Sequence, residues 1–427
     1  MSAATPLSPP QPADEHGERG ARRRLRHESL LGAVLVLLTF ALLVEARLWR
    51  PGTHFTIREN IQIGEAEAWW KGRLDLPERR WDTSLKDGRV YSYFPPMFTI
   101  IAAGIVPFCD GVPHWFIVLL VLAVPVLAYV LFYRLTESPI WGALLAIGCV
   151  CGTSIWPVID KTLRGAAPYH VNHTVATIGL LAFLIAYFGG RRVWLAGLGL
   201  VLAALSRQLT IVYVIPLAYM LVGRRWGERR LRRLTVLAVT CTVVFGVPAV
   251  LNAMKFGPPY ESGYMLNYAD RDDTFAQEAR QYGLFSTHYV PRNLYYTNIG
   301  LPKLHRIEVA GAPQVFIRPN DRGTGIWWTT PLLLWVFVLA GPLLRDRRRL
   351  ILLVAVVVVY VTLMFWHGTG SVQRGFNRYS LDYVPVVLAL VTPSCVVGWR
   401  RWITIGMVLC GVAYFKFVPG MPHIKIW

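Results

Sequence analysis

Long apolar runs separated by short polar gaps dominate the chain. A helix needs about 20 apolar residues to cross the hydrocarbon core of a bilayer, and most of the runs approach that length. The pattern therefore predicts an all-α, polytopic membrane protein. The runs lie at 30–48, 94–108, 114–134, 139–157, 173–188, 193–205, 209–222, 234–251, 327–343, 350–366, 382–398 and 402–418.

Two places in this pattern need separate interpretation. The run at 94–108 starts with Phe94-Pro95-Pro96 and contains further helix-breaking residues, so we interpret it as a helix in the external membrane interface. The runs 193–205 and 209–222 are separated only by Ser206-Arg207-Gln208, which predicts a tight hairpin of two spans with a polar tip. The sequence then predicts about 11 transmembrane helices plus external interfacial helices.

Basic residues in the short gaps predict the orientation, because Lys and Arg favour the cytoplasmic side. With 94–108 in the interface, all strongly basic gaps fall on one side, which holds 20 of the 44 basic residues but only 7 of the 25 acidic ones. We therefore expect a cytoplasmic N-terminus and an external C-terminus. The basic gaps are the N-terminal tail, Arg134, Arg191-Arg192, Arg224 to Arg233, Arg345 to Arg349 and Arg400-Arg401.

This topology divides the chain into three parts. Residues 1–29 are expected to form a disordered basic cytoplasmic tail, residues 30–418 a transmembrane domain, and residues 419–427 a short external tail. The external loops 49–113 and 252–326 are long enough to carry function.

Composition supports a membrane protein, since 54% of the residues are hydrophobic and 16% are charged, against about 25% charged in soluble domains. The net charge of +19 is also typical of nucleic-acid-binding proteins. Here the basic residues are distributed among short loops and form no single surface. We therefore expect membrane lipids, and no nucleic acid, as partners.

Acidic residues just after the first run are candidates for catalysis. Glu59 and Glu65 lie in the external loop 49–113. A carboxylate beside apolar walls can have a raised pKa and take a proton from a hydroxyl. The alternative is that these acids only pair with Arg58, Lys71 or Arg73.

His170 and His173 lie three residues apart on the same predicted face. Such a pair on a helix can bind zinc, but no further ligand motif accompanies it, and we predict no metal-binding residues. Polar capping at the start of a span is the alternative.

Arginines beside spans are candidates for binding an anion. An arginine deep in the membrane costs about 2.5–3.5 kcal/mol, which favours a functional reason for its presence. The guanidinium of Arg207, Arg374 or Arg378 would suit a phosphate. The alternatives are that Arg207 extends to the lipid headgroups, and that Arg378 and Asp382 form an i, i+4 pair that starts a helix.

External aromatic residues have two interpretations, an interfacial belt or a surface on which sugar rings stack. The residues are Trp69, Trp70, Trp81, Tyr91, Tyr93, Tyr260, Tyr264, Tyr295, Tyr296, Trp327 and Trp328.

The order of these features resembles the GT-C superfamily, the integral-membrane glycosyltransferases that use polyprenyl-phosphate-linked sugars. Arg58-Glu59 followed by Gly72-Arg73-Leu74 is similar to the family's acidic motif and the helix after it. Asp82 to Pro96 is similar to the external segment that ends in Pro-Pro. Three further segments are similar to later landmarks of the family: Gly152-Thr153 through His170, Leu205-Ser206-Arg207, and Gly375 to Pro385.

The resemblance implies a lipid-linked-sugar-dependent glycosyltransferase in the bacterial inner membrane, whose donor is a polyprenyl-phosphate sugar and whose acceptor is a glycan, lipid or protein hydroxyl on the external face. Glu59 would activate the acceptor hydroxyl, and Arg207, His170 and Arg378 would surround the lipid phosphate. The candidate residues are, for catalysis, Glu59 and Glu65; for the donor phosphate, Arg207, Arg378, Arg374, His170 and His173; and for the acceptor or sugar, Arg58, Tyr379 and Asp382.

The chain departs from the family in two ways. Arg58 stands where many members carry a second acid, which leaves dependence on a divalent cation open, and no sizeable soluble domain follows Trp402.

Two other interpretations of the function remain. One is a transporter or flippase, which would place ionisable residues near the middle of several spans. The other is an O-antigen-ligase-like enzyme with a lipid-diphosphate donor.

Overall fold

A computed structural model describes residues 30, 32–34, 36–38, 56–57, 60–164, 168–189, 192–222, 230–309, 312–370 and 376–417. These residues are mostly helical, which confirms the predicted all-α class at a coarse level. Within them the strands form three antiparallel pairs, β1 (Thr56–Ile57) with β4 (Val112–Pro113), β2 (Thr83–Lys86) with β3 (Arg89–Ser92), and β5 (Lys303–Val309) with β6 (Ala312–Arg318). The sequence analysis predicted none of these strands.

The helices follow the apolar runs of the sequence, with shorter helices in the two long loops between the runs. In chain order they are α1 (Ile61–Trp70), α2 (Met97–Ala103), α3 (His114–Thr136), α4 (Pro139–Cys151), α5 (Ile155–Leu163), α6 (Pro168–Gly189), α7 (Val193–Ser206), α8 (Val214–Val222), α9 (Arg230–Phe256), α10 (Tyr264–Ala269), α11 (Thr274–Tyr282), α12 (Val290–Leu294), α13 (Ile326–Thr329), α14 (Trp335–Val338), α15 (Ala340–Arg345), α16 (Arg347–Phe365), α17 (Val384–Cys395) and α18 (Arg400–Phe417). Short 3-10 or π turns span Val106–Phe108, Gln208–Tyr213, Thr287–Tyr289, Tyr295–Ile299, Pro331–Leu334 and Arg378–Asp382.

Four helices of the described residues, α3, α6, α9 and α16, are long and apolar enough to cross a membrane, and the bent pair α4 and α5 adds a fifth candidate. These helices indicate a membrane protein. Other runs form shorter apolar helices, among them α7 and α17, and the first run at 30–48 is described only in part. The predicted number of 11 spans is therefore not confirmed.

Two runs that the sequence presents as continuous are interrupted. The run at 139–157 bends by 68° between α4 and α5. There the hydroxyl of Thr153 donates to the Cys149 carbonyl and accepts from the Ile155 backbone N–H, so a side chain replaces helical hydrogen bonds at the bend. The run at 327–343 breaks into short helices, the first break falling just before Pro331.

Helix α6 lies at the centre of the bundle, and nearly all of its side chains are buried. It packs closely against α7 through two glycines. A methyl group on Gly199 would lie 2.6 Å from the backbone nitrogen of Phe183, and one on Gly179 would lie 2.5 Å from the backbone nitrogen of Ala203. Only glycine allows this approach, which brings the start of α6 beside the end of α7.

The opposite end of α6 lies among the basic segments. The hydroxyl of Tyr187 donates to the backbone carbonyl of Arg348, 2.9 Å away, at the start of α16. The predicted basic gaps after α6 and before α16 therefore share one end of the bundle. The start of α6, the end of α7 and the end of α16 lie at the other end.

The hairpin of β2 and β3 contributes to that other end. Its turn consists of Asp87 at φ 50° and Gly88 at φ 74°, both in the left-handed region that a tight hairpin turn requires. Thr83 is paired with Ser92, so Asp82 and Tyr93 emerge side by side. The Tyr93 hydroxyl donates to Asp82 Oδ1 at 3.3 Å.

Candidate functional site

A cavity of about 480 Å³ opens at the end of the bundle away from the Tyr187–Arg348 contact. Its wall comes from the β2–β3 hairpin region, the start of α6, the end of α7, the loops around α10 and α11, and the segment before α17. The lining residues are Trp81, Asp82, Tyr93, Phe94, Pro95, Tyr169, Asn172, His173, Ser206, Arg207, Tyr264, Tyr268, Arg271, Asp273, Phe275, Asp321, Trp366, Gly368, Arg378 and Tyr379.

Arg207 is held in the cavity wall by a buried carboxylate. Its Nε and Nη2 donate to the two oxygens of Asp382 at 3.1 and 2.8 Å. The side chain of Asp382 is 1% exposed and that of Arg207 is 17% exposed. The hydroxyl of Tyr213 donates to the backbone carbonyl of Asp382 at 2.8 Å and fixes the turn that carries this carboxylate. One edge of the guanidinium is thus used for positioning.

Arg378 lies on the same turn, within a group of aromatic rings. Its guanidinium carbon is 4.5 Å from the ring centre of Tyr169 and 5.2 Å from that of Tyr379. Arg207 approaches the ring of Tyr379 as well, at 5.0 Å. Burial raises the pKa of Tyr379, but the two guanidinium groups outweigh it and leave that pKa below its ordinary value. The cavity wall at this place therefore favours negative charge.

The alternative of an i, i+4 pair between Arg378 and Asp382 that starts a helix is not what the structure shows, because Arg378–Asp382 is a 3-10 turn and Asp382 binds Arg207. The alternative that Arg207 extends to lipid headgroups is likewise not what the structure shows, since its guanidinium is turned inward to Asp382.

The two histidines differ in position. His173 lines the cavity and its ring centre lies 6.2 Å from that of Tyr379. His170, one turn earlier on α6, is buried and lies against Tyr169, with ring centres 4.3 Å apart. Of the predicted phosphate-binding residues, Arg207, Arg378 and His173 are thus brought together directly on the wall, and His170 lies behind it.

Three aspartates on the wall were not among the predicted site residues. Asp82 receives the hydrogen bond from Tyr93, and Asp321 lies on the same wall. Asp273 caps α11 and accepts from Arg271 at 2.8 Å; burial raises its pKa, but Arg271 and the backbone N–H groups outweigh it and lower that pKa overall. Asp82 stood in the family-like segment, which is the signal that could have singled it out.

An apolar groove of about 250 Å³ continues from the cavity between the turn Gln208–Tyr213 and the end of α16. It shares five residues with the cavity: Pro95, Arg207, Tyr264, Trp366 and Tyr379. Its own residues include Leu209, Ile211, Phe285 and Leu363. A chamber lined by charged and aromatic side chains and an apolar groove therefore meet at Arg207 and Tyr379.

Glu65 lies elsewhere. It forms a buried ion pair with Lys255 of α9, and its other oxygen accepts from the Thr99 hydroxyl at 2.7 Å. Lys255 also donates to the Ser92 carbonyl at 3.0 Å. The predicted alternative of ion pairing is found here, with Lys255 in place of Arg58, Lys71 or Arg73. Glu65 does not line the cavity.

Three predicted site residues, Arg58, Glu59 and Arg374, lie outside the described residues. The described chain after Glu59 reaches the cavity wall. The amide of Gln62 donates to the carbonyl of Pro95 at 2.9 Å and lies 3.4 Å from Asn172 Oδ1, and both partners line the cavity.

In the part of the chain that the structure describes, no group of three or more His, Cys, Asp or Glu side chains is arranged to hold a metal ion. The chain has no match among protein-family models, curated proteins or solved structures. Its function is therefore inferred from the cavity and from the resemblance in the sequence.

Proposed function

We propose that this protein transfers a sugar from a polyprenyl-phosphate-linked donor to an acceptor hydroxyl on the external face of the bacterial inner membrane. The observation that carries the proposal is the junction at Arg207 and Tyr379, where a chamber lined by charged and aromatic side chains meets an apolar groove. A ligand that fits this junction has an anionic group between a polyhydroxyl part and a hydrocarbon chain. A polyprenyl-phosphate sugar has those three parts in that order.

The charges at the junction favour a lipid monophosphate over a lipid diphosphate. Asp382 compensates the charge of Arg207, and Arg378 adds a second guanidinium. A sugar phosphodiester carries one negative charge, which this arrangement can accept, whereas a diphosphate would bring a further charge toward the aspartates of the wall. This favours the proposal over an O-antigen-ligase-like reaction.

The same arginines would assist departure of the lipid phosphate. The acceptor oxygen attacks the anomeric carbon, the bond from that carbon to the phosphate oxygen breaks, and the phosphate leaves with the electron pair and one more negative charge. An arginine about 4 Å from that developing charge contributes roughly 4 kcal/mol at an effective dielectric constant of 20. About 1.4 kcal/mol corresponds to a tenfold rate change, so such a contribution is worth roughly a thousandfold.

Glu59 is the proposed base that takes the proton from the acceptor hydroxyl. Its position in the family-like motif supports this role, as does the contact of Gln62, three residues later, with the cavity wall. Attack from the face opposite the phosphate would invert the anomeric carbon. Among the described carboxylates on the wall, Asp82 is the proposed substitute for this role, because it lies in the family-like segment.

The placement of the cavity supports an external active site. It lies at the end of the bundle opposite the contact between Tyr187 and the basic segment before α16, and short basic segments favour the cytoplasm. An N-terminus in the cytoplasm and about 11 spans belong to the same proposal.

The test is sugar transfer by the purified protein in nanodiscs, with a labelled polyprenyl-phosphate sugar as donor and methyl glycosides as acceptors. We expect inverted product and release of polyprenyl phosphate. Transfer from a diphosphate donor alone would assign an O-antigen-ligase-like reaction. Substrate flux in proteoliposomes without transfer would assign a transporter or flippase.

A further inference from the structure

Three polar side chains on one side of the cavity have hydrogen-bonding atoms without a partner in the described structure. They are Asn172 Nδ2, both ring nitrogens of His173, and the hydroxyl of Ser206. All three side chains line the cavity and are at most 1% exposed. Leaving such a buried group unpaired costs about 1–3 kcal/mol. A ligand in the cavity that pairs with them therefore gains affinity there.

The fold brings these three groups together. Asn172 and His173 lie in the first turns of α6, and Ser206 is the last residue of α7. The close approach of the two helices at Gly179 and Gly199 aligns those ends. On its other side, Asn172 Oδ1 faces the amide of Gln62 at 3.4 Å, which orients the amide group.

The chemistry of the group fits hydroxyls better than a phosphate. A neutral imidazole has one donor and one acceptor, a serine hydroxyl is both, and the Asn172 amide nitrogen donates. An ionised phosphodiester offers only acceptors, so it cannot satisfy the acceptor nitrogen of His173. Sugar hydroxyls both donate and accept. The guanidinium groups of Arg207 and Arg378, beside the apolar groove, are the better partners for the phosphate.

The remaining wall suits an uncharged sugar ring. Aromatic side chains line it, with the ring centre of Tyr379 6.2 Å from that of His173 and those of Tyr93 and Tyr264 4.5 Å apart. Aromatic surface of this kind can pack against the C–H side of a sugar ring. The wall also carries charges of both signs, from Asp82, Asp273 and Asp321 and from Arg207, Arg271 and Arg378. A uronic acid or an amino sugar would place its charge near a group of the same sign.

We propose that Asn172, His173 and Ser206 form the subsite that recognises the hydroxyls of a neutral donor sugar, a hexose or pentose without carboxyl or amino groups. This inference rests on the proposed function and assigns His173 to the sugar instead of the phosphate.

The experiment compares four probes on the protein in nanodiscs, where no sugar-based detergent competes. The probes are farnesyl phosphate, farnesyl-phosphoryl-glucose, farnesyl-phosphoryl-arabinofuranose and farnesyl-phosphoryl-glucuronate. The variants are His173→Phe, Asn172→Leu and Ser206→Ala. Thr392→Val is the control, because the Thr392 hydroxyl is buried in α17, bonds the Leu388 carbonyl and does not line the cavity.

We expect the two neutral-sugar probes to bind the wild type about tenfold or more tightly than farnesyl phosphate, as one or two satisfied buried groups would give. His173→Phe and Asn172→Leu should remove most of that preference without changing the Kd of farnesyl phosphate, and Thr392→Val should keep it. A variant that weakens farnesyl phosphate as much as the sugar probes assigns the group to the phosphate and overturns the proposal. Tightest binding of the glucuronate probe also overturns it.

Failure of farnesyl phosphate to bind would contradict the proposed function, and the subsite is then tested separately. Saturation-transfer NMR with methyl glucoside and methyl arabinofuranoside should show binding to the wild type that is lost in His173→Phe. Absence of a signal in the wild type, or its persistence in that variant, overturns the inference.

Discussion

The guanidinium of Arg207, at the end of α7, is bound through two parallel hydrogen bonds by the buried carboxylate of Asp382, 175 residues later in the chain. The pair joins the hairpin tip to the turn that carries Arg378 and Tyr379. Removing one member leaves the other charge without compensation, which for buried pairs costs about 3–5 kcal/mol. Asp382 is therefore a positioning residue as well as a structural one.

We predict that Asp382→Asn lowers the free energy of unfolding by about 3 kcal/mol, the lower end of that range. The decrease is at the lower end because Arg207 keeps some access to solvent. The double variant Arg207→Gln/Asp382→Asn should be more stable than the two single effects added together, with a coupling of about 1–3 kcal/mol. Denaturant unfolding in detergent micelles measures all three. Strictly additive effects would show that the pair does not couple α7 to the turn.

Arg378 should contribute directly to donor affinity. Arg378→Ala is expected to weaken binding of farnesyl phosphate at least about tenfold, as loss of a charge-assisted hydrogen bond would. Arg378→Lys should recover only part of the affinity, because an ammonium group keeps the charge but not the planar stacking against Tyr169. Arg164→Ala is the matched control, since Arg164 pairs with Asp160 and does not line the cavity. Unchanged affinity in both Arg207→Ala and Arg378→Ala would remove the anion site.

Substitutions of the three acidic candidates, Glu59, Glu65 and Asp82, should have different effects on turnover in a transfer assay. Glu59→Gln is expected to reduce turnover by about 10²–10⁴, the usual contribution of a general base, with donor affinity unchanged. Glu65→Gln should act mainly on stability, because Glu65 is paired with Lys255 away from the cavity. If a correctly inserted Glu59→Gln protein keeps full turnover while Asp82→Asn loses it, the proton acceptor is Asp82.

The apolar groove should bind the lipid chain. Ile211→Gln, on the groove wall, is expected to weaken farnesyl phosphate by several fold, because burying each methylene is worth about 0.8 kcal/mol, and to leave methyl phosphate binding unchanged. Ile215→Gln is the control, since Ile215 is exposed on the next helix and lies outside the groove. Equal effects of both substitutions on farnesyl phosphate would show that the groove is not specific.

The sequence predicted the helices of the bundle better than their interruptions. The apolar runs located α7 and the end of α6 to within one residue, but α6 begins at Pro168, five residues before the predicted run at 173–188. The polar tip at Arg207 is where α7 ends. The bend after Cys151 depends on hydrogen bonds of Thr153, which an apolar run does not reveal. The β2–β3 hairpin had a local signal in Asp87-Gly88 that the search for spans passed over.

The sequence predicted the arginines of the candidate site but not their partners. Arginines near span ends stand out against an apolar background, so Arg207 and Arg378 were identified from the sequence. Their partners could not be, because Asp382 binds across 175 residues, and because the local i, i+4 rule fails where the chain forms a 3-10 turn. Asp273 and Arg271 lie on the wall only through the fold of the long loop at 252–326.

Ionisation of His367, which lies behind the cavity wall, should make the stability of the protein depend on pH. Its Nε2 lies 2.9 Å from the carbonyl of Phe275, and the two rings are 3.9 Å apart. Burial lowers the pKa of His367 to about 4, although the nearby Glu278 opposes this, and Arg292 acts in the same direction as burial.

Because the folded-state pKa is below the ordinary value of about 6.5, the unfolded chain binds the proton more readily. The contribution of neutral His367 to the free energy of unfolding is therefore fully present above about pH 6.5 and is lost as the pH falls toward 4. The loss is on the order of 3 kcal/mol. Unfolding of the wild type and of His367→Gln should be compared from pH 7.5 to 4.5. The variant, whose amide can still donate to Phe275, should lose less stability over that range because it lacks this ionisation. Parallel losses in both proteins would place the acid sensitivity in other groups.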